Sequence, residues 1–185
     1  MKTKLWILES TRAITSCDVF TADLCAVGSY GEFAVKRRVL LVEDDVPKQS
    51  QIADALALAD IEMDHAASVN DAIRRLDAAT YDCVLLDMSL PTFSEGTGFF
   101  SGGRQQDFGG RHILTYMWEM EIDSRVLIVT QLPGFKNDEG IEVRLSDLDT
   151  TLRKDFPGLY TGFVSFHHSS DSWVRGIADF IEGKT

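Results

Sequence analysis

The residues that could do chemistry stand at the ends of short apolar runs. Asp87 closes the stretch YDCVLLDMSLP (residues 81–91), directly after Cys83, Val84, Leu85 and Leu86. Glu43, Asp44 and Asp45 close RVLLVEDD after Val39, Leu40, Leu41 and Val42, and Thr130 closes RVLIVT after Val126, Leu127, Ile128 and Val129. A single Asp at such a place is ordinary turn chemistry; the repetition gives it weight. If the three runs lie side by side and parallel, carboxylates from two of them and a hydroxyl from the third meet at one edge. Crowded carboxylates are costly unless protonated or bridged by a cation. Magnesium suits them, being a hard ion held by one or two carboxylates, waters and phosphate oxygens.

The elements that must position these groups follow from the pattern around them. Continuous apolar runs of this length fill strands buried on both faces. Between the first and second, Pro47 can open a helix with Ile52, Leu56 and Ala59 on one stripe up to Asp60. Residues 61–66 read as another strand, and Ser68 is an N-cap, with Asp71 three residues on, for a helix carrying Ala72, Ile73 and Leu76. Ile113, Tyr116, Met117 and Met120 give a further helix over the sheet. Ile141, Leu145, Leu148, Leu152 and Phe156 give another, and residues 160–166, YTGFVSF, read as the last strand. A closing helix runs from after Ser170 to about Glu182 and buries Trp173, Ile177, Phe180 and Ile181. Alternating strands and helices with right-handed crossovers make an α/β, doubly wound parallel sheet. In such sheets ligands bind beyond the carboxyl ends of the strands, where Asp87 lies.

The motifs VLLVEDD, VLLDMSLP and VLIVTQ, in that order, resemble the receiver domains of two-component response regulators, and the resemblance spans residues 37–183. It implies a five-stranded flavodoxin-like sheet of strand order 2-1-3-4-5. It makes Asp87 the acceptor of a phosphoryl group, and Glu43, Asp44, Asp87 and the backbone carbonyl of Ser89 the holders of Mg2+. Thr130 becomes the hydroxyl that follows the phosphoryl group, and Phe163 the aromatic switch. A histidine kinase or phosphotransfer protein is the implied donor, and a downstream protein effector the implied reader. The face of the fourth helix, fifth strand and fifth helix is the implied signalling surface, with a homodimer through it as a further option.

The chain departs from the family at one position. Receivers carry a Lys at the end of the fifth strand, followed by Pro, with an aromatic residue three before it. Here Phe163 takes the aromatic place, which puts Phe166 on the Lys and His167 on the Pro. His167 or His168, charged according to pH, is a candidate substitute; Lys136 or Lys154 could also reach in from elsewhere.

Composition bounds the rest. A chain of 185 residues with 44% hydrophobic content is ordinary for a globular protein with one main core. The formal net charge of −11 argues against direct nucleic-acid binding. Charges cancel over residues 1–36, so the excess acid belongs to residues 37–185: an N-terminal extension of unassigned role, then a receiver-like domain. Cys17, Cys25 and Cys83 show no metal-ligand spacing, and no apolar stretch is long enough to span a bilayer or form a signal-peptide core. The expectation is a cytoplasmic protein. Connections after the third and fourth strands are enlarged. The first, residues 92–110, is Gly-rich and aromatic; it reads as a mobile loop or as a lid in which Phe99, Phe100 and Phe108 shield the site and Arg104 or Arg111 supplies positive charge.

Three functions compete. The first is a single-domain phosphorelay receiver, not an enzyme beyond its own phosphorylation and dephosphorylation at Asp87. A pseudo-receiver that signals by constitutive protein contact is favoured by the absent strand lysine. A magnesium-dependent phosphohydrolase would need an Asp two residues after its nucleophile, where this chain has Ser89.

Overall fold

The computed structural model describes residues 36–57, 61–92, 105–106, 109–132, 134–136 and 142–184. In chain order the elements are β1 (Arg37–Val42), α1 (Val46–Leu56), β2 (Ile61–Ala66), α2 (Val69–Ala78), β3 (Cys83–Leu86), β4 (Leu90–Pro91), β5 (Gln105–Gln106), α3 (Gly109–Glu119), β6 (Arg125–Thr130), β7 (Gly134–Lys136), β8 (Glu142–Arg144), α4 (Leu145–Asp155), β9 (Tyr160–Ser165) and α5 (Ser172–Glu182). The main sheet is parallel, in the order β2-β1-β3-β6-β9. Counting only its own strands, that is 2-1-3-4-5.

The apolar runs do what their composition requires. All four residues of β3 are buried, and so are the last four of β1. Side chains alternate between two cores. Val39, Leu41, Cys83, Leu85 and Val129 pack with Ile52 of α1 and Trp173, Ile177, Phe180 and Ile181 of α5. Leu40, Val42, Val84, Leu86, Val126 and Ile128 pack with α2, α3 and α4. Cys83, a free thiol, is one of the filling residues, and burial pushes it up from its ordinary pKa.

Helix starts obey local chemistry. The Asp45 carboxylate accepts from the Lys48 N–H at 2.9 Å and caps α1, with Pro47 in its first turn. The Ser68 hydroxyl caps α2 by accepting from the Asp71 N–H at 3.2 Å. The closing helix buries Trp173, Ile177, Phe180 and Ile181 as its spacing predicts.

Two details differ from the sequence reading. Met120 lies past the end of α3 and is 59% exposed instead of covering the sheet. The long connection before α4 contains an antiparallel hairpin, β7 with β8, that its composition did not announce. Ala59 and Ile141, expected on helical stripes, lie outside the described residues, as do residues 1–35 of the N-terminal extension 1–36.

Candidate functional site

Strand register builds the site. Val42 is paired with Leu86 and Leu86 with Ile128, so the residues just past these pairs, Glu43, Asp87 and Val129, stand in a row at the carboxyl edge. The Asp87 N–H continues the ladder to the Val42 carbonyl at 2.9 Å, and the Glu43 N–H does the same to Ala66. Alternation then decides the faces. Glu43 and Asp87 share parity with Leu41 and Leu85 and point to the α1 side, while Thr130 shares parity with Ile128 and falls on the other.

The carboxylates converge: ligand oxygens of Glu43, Asp44 and Asp87 all lie within 4.8 Å of one another. They line a cleft of about 470 Å³ together with Asp45, Lys48, Ser89, Gln131 and Leu132. Asp87 is 8% exposed. One of its oxygens accepts from the Ser89 N–H at 2.7 Å, the other from an ammonium. Thr130 is buried, and its hydroxyl accepts from the Leu132 N–H at 3.1 Å. Phe163 is partly buried on the same face as Thr130.

The ammonium belongs to Lys48, in the first turn of α1, a residue the sequence reading passed over. Its Nζ lies 2.7 Å from Asp87 Oδ1, 2.6 Å from Glu43 Oε2 and 2.7 Å from the Val129 carbonyl. The side chain is 1% exposed. Among the described residues, Lys48 alone forms an ion pair with Asp87. Phe166, the position onto which the resemblance puts the family's Lys, is buried beneath this group: Nζ lies 5.8 Å from the ring centroid, and the ring packs on Trp173 at 4.8 Å.

The other candidate cations lie elsewhere. His167 and His168 are exposed just past β9, and the His168 ring meets the edge of Phe166. Lys154 is exposed on α4; the Lys136 side chain lies outside the described residues. Arg111, expected to offer charge to a phosphoryl group, instead pairs with Asp155 of α4 at 2.6 Å. Phe99, Phe100, Arg104 and Phe108 of the expected lid lie outside the described residues.

Electrostatics show what the cluster lacks. Burial and the neighbouring Asp87 charge push Glu43 up to about 7, against the opposing pull of Lys48. Burial, then Asp87, raises Asp44 above its ordinary value as well. One ammonium among three carboxylates leaves a deficit of positive charge that a divalent ion would remove.

The backbone around Asp87 is held by the start of α3. The Gly110 N–H donates to the Met88 carbonyl at 3.0 Å. A Cβ on Gly110 would lie 2.5 Å from the Asp87 carbonyl oxygen, and one on Gly109 would lie 2.5 Å from that of Leu90. Only glycine permits such an approach.

Comparison with known proteins agrees with this fold. The family model described as the response regulator receiver domain matches residues 39–156. The chain is 28% identical to the Detocs response regulatory protein DtcB of Vibrio alginolyticus, over 78% of this chain and 99% of that one. It is 22% identical to the protein of the same name from Enterobacter cloacae, over 76% and 95%. Among solved structures, the signal receiver domain of a Luxo repressor protein from Vibrio parahaemolyticus superposes with a TM-score of 0.56 at 18% identity, covering 80% of this chain and 92% of that chain. The TrrA response regulator of Thermotoga maritima, solved in complex with Mg(2+)-BeF, does so at 0.51 and 15%, covering 78% and 98%.

Proposed function

Since this chain belongs to the response regulator receiver domain family and so to two-component signalling, we propose that it is a phosphorelay receiver in which Asp87 accepts the phosphoryl group. The convergence of Glu43, Asp44 and Asp87 beside a buried ammonium carries this reading. The donor set is all hard oxygen and short of positive charge, which fits Mg2+. Glu43, through a water, with Asp44, Asp87 and the Ser89 carbonyl would hold it. When bound, the ion would neutralise the carboxylates and withdraw charge from the phosphoryl oxygens.

The protein's own groups do the rest. The Ser89 N–H fixes one Asp87 oxygen and leaves the carboxylate aimed into the cleft. In-line attack on a phosphohistidine or acyl phosphate follows, with positioning and electrostatics as the main source of rate. The new phosphoryl oxygens draw the Thr130 hydroxyl inward as a donor, while its oxygen now accepts from the Leu132 N–H. Phe163, on the same face, changes rotamer as Thr130 moves, and the α4-β9-α5 surface shifts between two populations.

A histidine kinase or phosphotransfer protein serves as donor, and a protein effector or a second copy of the chain reads that surface. The near-complete coverage of the two DtcB relatives supports a role as the response regulatory component of a Detocs-like system. We place this receiver in residues 37–185, with 1–36 as a separate extension, and its action in the cytoplasm. Among the described residues no helix is long and apolar enough to cross a membrane.

Incubation with acetyl phosphate and Mg2+ tests the reading. One phosphoryl group should add to the intact mass, and Asp87→Asn should abolish the gain. No gain, or a gain that Asp87→Asn retains, overturns it in favour of a phosphorylation-independent interaction module.

A further inference from the structure

We infer that Lys48, reaching in from α1, is the catalytic cation that contacts the transferring phosphoryl group, in the role this chain's last strand leaves vacant at Phe166. The inference rests on Asp87 as acceptor and adds the identity and origin of its partner.

Three observations carry it. Lys48 Nζ is directed at the reacting atom itself, 2.7 Å from Asp87 Oδ1. Its other contacts, Glu43 Oε2 at 2.6 Å and the Val129 carbonyl at 2.7 Å, fix the ammonium from two sides, so it is pre-oriented and not a tethered charge sampling solvent. The space beneath it is taken by Phe166, itself backed by Trp173, which closes the usual route from the strand. Helix position sharpens the point. Lys48 sits three residues after the N-cap Asp45, where the helix dipole disfavours a cation. Only the buried carboxylates in front of it explain a lysine there.

The step balances without a proton leaving Lys48. A carboxylate oxygen of Asp87 attacks phosphorus and forms a new P–O bond. The bond from phosphorus to the donor breaks, and its electron pair leaves with the donor's carboxylate or imidazole. An N–H of Lys48 passes from the Asp87 oxygen to a non-bridging phosphoryl oxygen, remaining on nitrogen throughout. The Glu43 contact is the one most readily given up, because the incoming group brings more negative charge to Asp87's side.

The test is phosphorylation of the full chain by acetyl phosphate and Mg2+, followed by intact mass, for wild type, Lys48→Gln, Phe166→Lys/Lys48→Gln and Asp87→Asn, each checked for folding by circular dichroism. Lys48→Gln should slow labelling about 100-fold or more, the scale of losing one pre-oriented donor. The double variant, with the ammonium returned to the strand, should recover all but about 10-fold of it. An unlabelled wild type would sink the acceptor role of Asp87 itself. A labelled wild type with Lys48→Gln equally fast or faster would overturn Lys48 alone, as a structural counter-charge or a lock. So would a folded double variant that stays as slow as Lys48→Gln. Should Lys48→Gln fail to fold, the unmutated chain loaded with beryllium fluoride decides: fluorine–proton cross-relaxation to the Lys48 ammonium is expected, and its absence overturns the assignment.

Discussion

At the carboxyl edge of the sheet Lys48, Glu43 and Asp87 are almost withdrawn from water, whereas nearer the amino edge Arg38 meets Asp64 with about a third of each side chain exposed. Both are charge clusters joining neighbouring strands. The exposed one is ordinary surface chemistry: Arg38 also lies over Tyr81, whose hydroxyl donates to Asp64, and solvent can replace any partner that is lost. In the buried one each charge is tolerable only because the others are present. A fold with no further task would gain nothing from such a cluster, so the contrast separates charges kept for reactivity from charges kept for solubility.

Breaking each cluster should expose the difference. Measured by urea unfolding without magnesium, Lys48→Gln should cost about 3 to 5 kcal/mol, as expected when one member of a buried set is removed. Arg38→Gln should cost no more than about 1 kcal/mol. Equal losses would erase the distinction.

Backbone substitutions sharpen it at smaller scale. Gly110→Ala forces a methyl against the Asp87 carbonyl and should cost about 1 to 3 kcal/mol while slowing phosphorylation, since the strain falls on the acceptor loop. Gly158, at φ +85 beside the cleft at the other end of the sheet, has open space around its Cβ position. Gly158→Ala should cost about 1 kcal/mol for the left-handed backbone and leave phosphorylation unchanged.

The last effect is read as a slope with pH. Glu43 holds its proton to about pH 7 in the folded chain, while the unfolded chain releases it near its ordinary value of 4.5. Folding therefore takes up a proton between these values, and the stability of the magnesium-free protein should fall as pH rises through that window. Glu43→Gln should flatten the slope in chemical denaturation at several pH values.

Much of this arrangement was readable from the chain. Runs of four apolar residues ending in acid specify both the strand and its exit, because burial on two faces leaves no other place for a charge. They brought Glu43, Asp44, Asp87 and Thr130 to one edge in the right order. Lys48 escaped the sequence reading, which weighed the end of the last strand, Lys136, Lys154, Arg104 and Arg111, because it sits on a helix that crosses in front of the sheet, 39 residues from Asp87. A signal was present: a lysine in the first helical turn, three positions after a capping Asp, against the dipole. Arg111 was misjudged for the opposite reason, since its partner Asp155 is 44 residues away and nothing local announces the pairing. The β7-β8 hairpin has only three residues per strand, too few for a two-residue period to stand out.

The short ladder between β4 and β5 has a consequence for how this protein can vary. Leu90–Pro91 pairs with Gln105–Gln106, so the intervening chain departs and returns at adjoining points, like a handle fixed at both ends to one door. Doubling the length of such a handle adds roughly 0.6 kcal/mol of closure entropy, a small cost set against a fixed pair of ends. Relatives could therefore exchange this segment wholesale, acquiring new surfaces for recognition while the chemistry next to it is inherited intact.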